Sequence, residues 1–459
     1  MFSTLLEDRV VDADLAVVGE RIDAIGGRNP PGKREIDADG KLVMPGGVEP
    51  HSHLAQLSGG GIPTSDDFES GTRAAAYGGT TTVMAFSAQH RGTSTSETVT
   101  EAMERARLEA TVDYALHLIV TEQHDRTAAD LAEVARIGIT SMKVFMTYDR
   151  LKLAGADLVN LLEGARSAGM TVMVHAEHDG LITWKRRQLI EGGRRDAMAH
   201  AESHSRLAER AGVAEALALA EALEMGIHVV HLSTGDALKE AEAARSRGVR
   251  ATVETCPHYL VLEESLLDGP IRETAPFMSS PPLRGARDRA ALWRAIEAGQ
   301  VDTIGSDHAP YRLDAGKLPR GDKTEFHEVA NGLPGIELRL PLLYSEGVTK
   351  GRITVSDFVR LVATNPAKLF GLYPRKVTPA VGSDADIVVW DDAERRTVTI
   401  DELHDRMDYT PYEGMTLTGW PETVLLRGRM VVHGGHDVLR PGGGRFIKRK
   451  PQPAKEMHR

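Results

Sequence analysis

The chain has one cysteine, Cys256, in 459 residues. An intrachain disulfide is therefore excluded, a reducing compartment fits, and the expected role of Cys256 is a buried thiol. Aromatic residues are scarce at 5%, so the core must be built chiefly from aliphatic side chains. No apolar run approaches the ~18 residues that cross a bilayer, and the N-terminal MFSTLLEDRV lacks the basic and apolar regions of a signal peptide. A cytoplasmic chain with no membrane partner is expected. Positive charge is not in excess either. With 55 Lys and Arg against 66 Asp and Glu the net charge is -11, which leaves no basic stripe to neutralise phosphates and excludes a nucleic-acid partner.

The chain does have apolar residues in quantity, 41% of the total, ample for a large buried core. Many of them fall in eight short, β-branched runs, at 43–53, 78–86, 112–120, 141–145, 171–175, 227–233, 249–256 and 301–308. Nearly continuous apolar runs of this length predict strands buried on both faces, as in a parallel sheet. Between them, 95–110, 157–169, 213–226 and 287–299 carry apolar residues at helical spacing, and several end in Gly. This alternation predicts a (β/α)8 TIM barrel, an α/β fold, over residues 49–375.

The two ends of the chain have a different style. Residues 1–48 and 376–440 show short polar–apolar alternations separated by Gly-rich turns. Neither end has enough strands to stand alone, so the two are expected to pair as a smaller β-sandwich domain beside the barrel. Residues 441–459 are rich in Gly, Pro and basic residues, which predicts a C-terminal tail, either solvated or lying on a neighbouring subunit.

Chemistry concentrates near the ends of the apolar runs: His51, His53, Lys143, His175, His231 and Asp307. In a barrel of this kind, functional groups gather at the carboxyl ends of the strands. His51 and His53 lie on one side of an extended chain because side chains alternate with period two, and two neutral imidazoles can hold a divalent ion. A lone HxH is weak evidence, but four histidines converging on one barrel mouth are hard to explain as core residues. Asp307 in SDHAP could serve as an N-cap; as a ligand it could also take a proton from a nucleophile and deliver it to a leaving nitrogen. Lys143 facing two cations would be repelled unless its charge were removed. Carbamoylation would remove that charge and give two oxygens able to bridge two ions.

The sequence resembles the dihydropyrimidinase and D-hydantoinase family of the amidohydrolase superfamily over nearly its whole length. The resemblance is carried by MPGGVEPHSH, KVFMTY, VMVHAE, VVHLS, ETCPHYL, SSPPLR, SDHAPY, NGLPGIE and DYTPYEGMTLTGWP, in that order. It implies two divalent metal ions, typically zinc. His51 and His53 with Asp307 would hold the more buried ion, His175 and His231 the more exposed one, and N6-carboxylated Lys143 would bridge them. It also implies that Tyr148 hydrogen-bonds the developing oxyanion, and that the backbones of Ser280 and Asn331 hold the amide edges of a small cyclic ureide. The expected reaction is opening of dihydropyrimidines or 5-monosubstituted hydantoins to N-carbamoyl amino acids, by a homotetramer. Ring-substituent preference would depend on the loops Leu57 to Thr64 and Tyr148 to Ala154.

Three alternatives within the superfamily need weighing. A dihydroorotase would need an Arg soon after the HxH to hold a carboxylate, and HSHLAQLSGGG has none. Allantoinase fits the matching segments less well. The non-catalytic collapsin-response mediator proteins lack the metal ligands that this chain retains. Two departures from the family pattern stand out: Glu49 replaces the usual Asp, away from any ligand position and so expected to matter little, and His178 follows HAE where relatives have Asn, with an expected supporting role.

Overall fold

In the computed structural model, which describes residues 3–6, 9–26, 31–124, 126–376 and 380–450, the eight apolar runs pair in the order in which they occur in the chain. They form strands β1 (Gly47–Ser52), β2 (Thr80–Ala88), β3 (Asp113–Ile119), β4 (Ser141–Phe145), β5 (Thr171–His175), β6 (Ile227–Val229), β7 (Ala251–Thr255) and β8 (Thr303–Ile304). Every neighbouring pair is parallel. Strands β1 and β8 meet through a single Ser52–His308 bridge and the His53 N–H, which donates to the His308 carbonyl at 2.8 Å. The barrel is therefore nearly closed. Its strands are buried on both faces, which explains why their sequences run apolar instead of alternating.

Helices fall between the strands and cover the barrel. Thr95–Glu109, Gly155–Ser167 and Ala286–Glu297 occupy three of the four predicted segments. The fourth, predicted at 213–226, is the second half of a longer helix, Arg206–Ala222, which starts earlier because the Ser205 hydroxyl caps it by accepting the Ala208 N–H. Two further helices, Asp179–Glu191 and Ala197–Ser203, intervene after β5 and wall one side of the barrel mouth.

The two ends of the chain build a separate, mainly antiparallel sheet. Its order is His436–Asp437, Arg429–His433, Thr416–Leu426, Ile387–Thr397, Leu42–Pro45, Ser3–Leu6, Arg9–Asp12. A hairpin of Leu15–Val18 and Arg21–Ile25 packs on it through Ile22, Val43, Ile387 and Leu425, which completes a small sandwich. The chain crosses from this sheet into β1 at Gly46, where a Cβ would lie 2.1 Å from the Thr81 hydroxyl, so no larger residue fits. Charge also ties the two parts together. Lys376 reaches Asp113 at the start of β3 at 2.5 Å, Asp386 at 2.6 Å and Asp384 at 3.0 Å.

The expected tail needs correction. Residues 441–450 lie on this chain's own barrel: the Ile447 N–H donates to Tyr114 C=O at 2.7 Å, and Arg449, 1% exposed, bonds the Ser141 hydroxyl at 2.8 Å and the Leu116 carbonyl. The barrel's lower end offers apolar surface and free strand carbonyls that a Gly- and Arg-rich segment can cover, a partner that composition alone cannot reveal. Residues 451–459 lie outside the described residues. Among those described, no helix is long and apolar enough to cross a membrane.

Candidate metal centre and its cavity

The strands deliver all six candidate ligands to one end of the barrel. His51 lies near the end of β1 with His53 just beyond it, Lys143 on β4, and His175 at the last position of β5. His231 and Asp307 follow the short strands β6 and β8. Only six non-glycine residues among those described have positive φ, and three of them are here: Tyr148 at 74°, His231 at 40° and Asp307 at 47°. Such a backbone costs about 1–3 kcal/mol per residue and persists where its surroundings enforce it, commonly at functional sites.

The side chains converge. One Asp307 carboxylate oxygen lies 3.0 Å from His51 Nε2 and 3.2 Å from His53 Nε2, and all three ligand atoms fall within 4.8 Å of one another. Lys143 Nζ is 2.8 Å from His51 Nε2. The His231 ring sits 4.6 Å from that of His175 and 5.6 Å from that of His51. Both nitrogens of His231 are buried without a hydrogen-bond partner. An imidazole so placed pays a desolvation cost that coordination to an ion would offset. The donor set of neutral imidazoles and a carboxylate around these unpaired nitrogens suits a divalent metal.

Burial dominates the electrostatics. It pulls His53 down to about 4 and drives His231 well below its usual range, with His175 and Lys143 adding to the latter. It also lowers Lys143 to about 8, against the pull of Asp307 and Glu254. Asp307 goes the other way: burial alone would raise it, but the neighbouring His51 and the bonds from His51 and His53 hold it well below the carboxylate range. The pocket therefore favours neutral His53, His175 and His231 beside an ionised Asp307, the protonation states that ligation requires. At His51 burial and the Lys143 charge act downward, but Glu254 and Asp307 outweigh them and raise it.

An outer layer of carboxylates holds the candidate ligands, and sequence reasoning missed it. Glu254, at the end of β7 and fully buried, sits 2.5 Å from His51 Nδ1, leaving Nε2 to face the centre. Glu177 likewise lies 2.8 Å from His175 Nε2 and takes His204 Nδ1 at 3.0 Å. Glu49, judged unimportant on sequence, is 0% exposed: one oxygen accepts the His51 N–H at 2.9 Å and the Ser306 N–H at 3.0 Å, while the other pairs with the buried Arg339 at 2.8 Å. It thus clamps β1 to the segment that carries Asp307. A charged residue inside an otherwise apolar strand was the available signal for both Glu49 and Glu254. His178 is the N-cap of Asp179–Glu191, its Nδ1 accepting the Leu181 N–H at 3.2 Å. Cys256 is fully buried, and burial pushes its thiol up.

The centre opens into a cavity of about 350 Å³ whose lining includes His53, Lys143, His175, His231, Asp307, Tyr148, Ser280 and Asn331. Every candidate substrate-contacting residue therefore lines the same cavity as five of the six candidate metal ligands. Tyr148 packs its ring 5.4 Å from His175, and burial raises its phenol above the usual value, so it stays protonated and able to donate. The Asn331 amide oxygen is buried and unpartnered. Leu57, Ile62, Leu151 and Phe326 contribute apolar surface to the lining, alongside the charged Asp149, Arg150, Asp179, Arg186 and Glu328.

Comparison with known proteins identifies the family. The model of the amidohydrolase family matches residues 42–431. The D-hydantoinase of Ralstonia pickettii is 40% identical over 444 residues, 96% of each chain. The D-hydantoinase of Geobacillus stearothermophilus is also 40% identical, across 96% of this chain and 92% of its own. The crystal structure of dihydropyrimidinase from Brevibacillus agri NCHU1002 matches with a TM-score of 0.94 at 39% identity, covering 98% of this chain and 97% of that one. The chain belongs to the amidohydrolase family, within its D-hydantoinase and dihydropyrimidinase group.

Proposed function

We propose that this chain opens the cyclic amide of dihydropyrimidines or 5-monosubstituted hydantoins to N-carbamoyl amino acids. The observation that carries the reading is the convergence of six ligand-type side chains at one end of the barrel, five of them lining a cavity of about 350 Å³ that also presents Tyr148, Ser280 and Asn331, with His51 in contact with Asp307 and Lys143. His51, His53 and Asp307 would hold one divalent ion and His175 and His231 the other, with carboxylated Lys143 between them. Zinc suits this nitrogen and oxygen donor set. When bound, the ions supply Lewis acidity and lower the pKa of water from about 15.7 towards 7.

The chain's own residues do the rest. Asp307, ionised and facing the centre, accepts the proton of the attacking water and passes it to the ring nitrogen as the C–N bond breaks. The Tyr148 phenol donates to the carbonyl oxygen as negative charge develops there. The backbones of Ser280 and Asn331 hold the amide edges of the ring and set its orientation. Leu57, Ile62, Leu151 and Phe326 in the lining offer apolar contact to a carbon substituent on the ring. Both curated relatives described above are D-hydantoinases, which favours the D-enantiomer over allantoinase or dihydroorotase activity. The retained ligands speak against a non-catalytic scaffold. A cytoplasmic homotetramer completes the reading, supported by the single cysteine and by the family.

Chiral analysis of the products from dihydrouracil, hydantoin, 5-substituted hydantoins, allantoin and dihydroorotate tests it. Opening of the neutral rings with D-selectivity is expected. Dihydroorotate turnover with no opening of hydantoin or dihydrouracil would refute it.

A further inference from the structure

Lys317 ends the π-helical turn Leu313–Lys317, is 0% exposed, and has no charged partner among the described residues. The only hydrogen bond of its side chain among those residues runs from Nζ to the Met278 carbonyl at 2.9 Å. Met278 and the adjacent Leu318 belong to an apolar cluster with Phe326 and Val329. Burial alone draws the amine down to about 7. A lone buried cation is costly, and an apolar side chain of similar length would serve packing better, so the fold by itself does not call for lysine here.

The carbonyl that Lys317 holds is a junction. Met278 C=O also accepts the Gly332 N–H at 3.0 Å, so a single acceptor joins Nζ to the segment ending in Ser280 and to the segment carrying Asn331. The neighbouring carbonyls are pinned as well: Ser279 C=O by His200 Nε2 at 2.8 Å and Pro281 C=O by the Tyr259 hydroxyl at 2.7 Å. Among the described residues, the Ser280 and Asn331 carbonyls receive no donor from the protein. Buried donors thus hold the segment on either side of Ser280 and leave its own carbonyl for a ligand.

We propose that Lys317 is a positioning residue: through the Met278 carbonyl it sets the spacing between Ser280 and Asn331, and so the fit of the protein's grip on the substrate ring. The inference rests on the reading that these two residues hold the cyclic amide.

The test compares Lys317→Met, which keeps the length of the side chain and removes the donor, with Lys317→Gln, which keeps a neutral donor. Dihydrouracil is the probe substrate, and metal content is measured in parallel. Loss of a charge-assisted bond predicts a KM about 10- to 100-fold higher in Lys317→Met, a smaller rise in Lys317→Gln, and kcat within about threefold of the parent. Both variants should retain the full complement of metal. An unchanged KM in Lys317→Met, or a loss of kcat with KM intact, overturns the proposal. Failure of both variants to fold would assign Lys317 to stability and overturn it equally. Inactivity of the unmutated enzyme towards every cyclic ureide would sink the proposed function and this inference with it, a result read without any variant.

Discussion

Replacing Glu254 by Gln tests whether the buried carboxylates tune the metal centre. Glu254 is fully buried, and one oxygen lies 2.5 Å from His51 Nδ1. Burial would raise its pKa, but the nearby His51 and the bonds with His228 and His51 hold it at about 2, so it is ionised at any working pH. Gln conserves shape. Its oxygen can take the place facing His51, while its NH2 finds Thr303 Oγ1 at 3.4 Å and His228 Nε2 at 3.8 Å where the other carboxylate oxygen stood. What changes is the charge on the acceptor. Hydrogen bonds to charged groups contribute about 1.5–3 kcal/mol and neutral ones about 0.5–1.5 kcal/mol, a difference of about 1–1.5 kcal/mol in how firmly and how basically His51 is presented. That corresponds to roughly 5- to 12-fold weaker metal binding, at the low end of the 10- to 100-fold typical of such outer partners. Chelator competition on the purified enzyme measures it directly, with circular dichroism to verify the fold. Metal affinity within twofold of the parent would refute the idea that Glu254 acts through His51.

Two substitutions address the inner residues. The parent enzyme is expected to carry close to two divalent ions per chain by elemental analysis, because six ligands are too many for one tetrahedral zinc, and Lys143→Ala is expected to lose both metal and activity; full activity in that variant would rule out the bridge. Asp307→Asn should lower kcat by about 10² to 10⁴, the range for a lost general acid or base, whereas a change in KM alone would remove Asp307 from the proton transfers.

The barrel was legible because burial on both faces writes itself into a strand as a continuous apolar run, and eight such runs were visible. The candidate ligands stood out because polar residues at the ends of those runs have no structural reason to be there, and the fold brings them together. The outer carboxylates were not, for opposite reasons. Glu49 and Glu254 look like single irregularities until their partners appear, and those partners, Arg339 and His51, lie far along the chain from them. The last described segment failed for a related reason. Its composition reads as solvated, yet Arg449 and Ile447 find a matching surface at the foot of the barrel. Sequence patterns report the period of an element well, and report pairings between distant elements poorly.

The distribution of satisfied and unsatisfied polar groups carries the argument one step further. Glu49, Glu177 and Glu254 are each 0% exposed, and each has its charge met by protein groups: Arg339, the imidazoles of His175 and His204, and that of His51. His231 has no protein partner for either nitrogen, and the Asn331 amide oxygen has none. Buried polar groups in a folded chain are ordinarily paired, so an unpaired one that lines a cavity is a place where a ligand can complete the bonding. His231 and Asn331 line the same cavity, one among the candidate metal ligands and the other among the candidate substrate contacts. A backbone already held at positive φ at Tyr148, His231 and Asp307 fits this division. The barrel and its buried carboxylates bear the strain of presenting these groups in advance, so that ligand binding does not have to organise them.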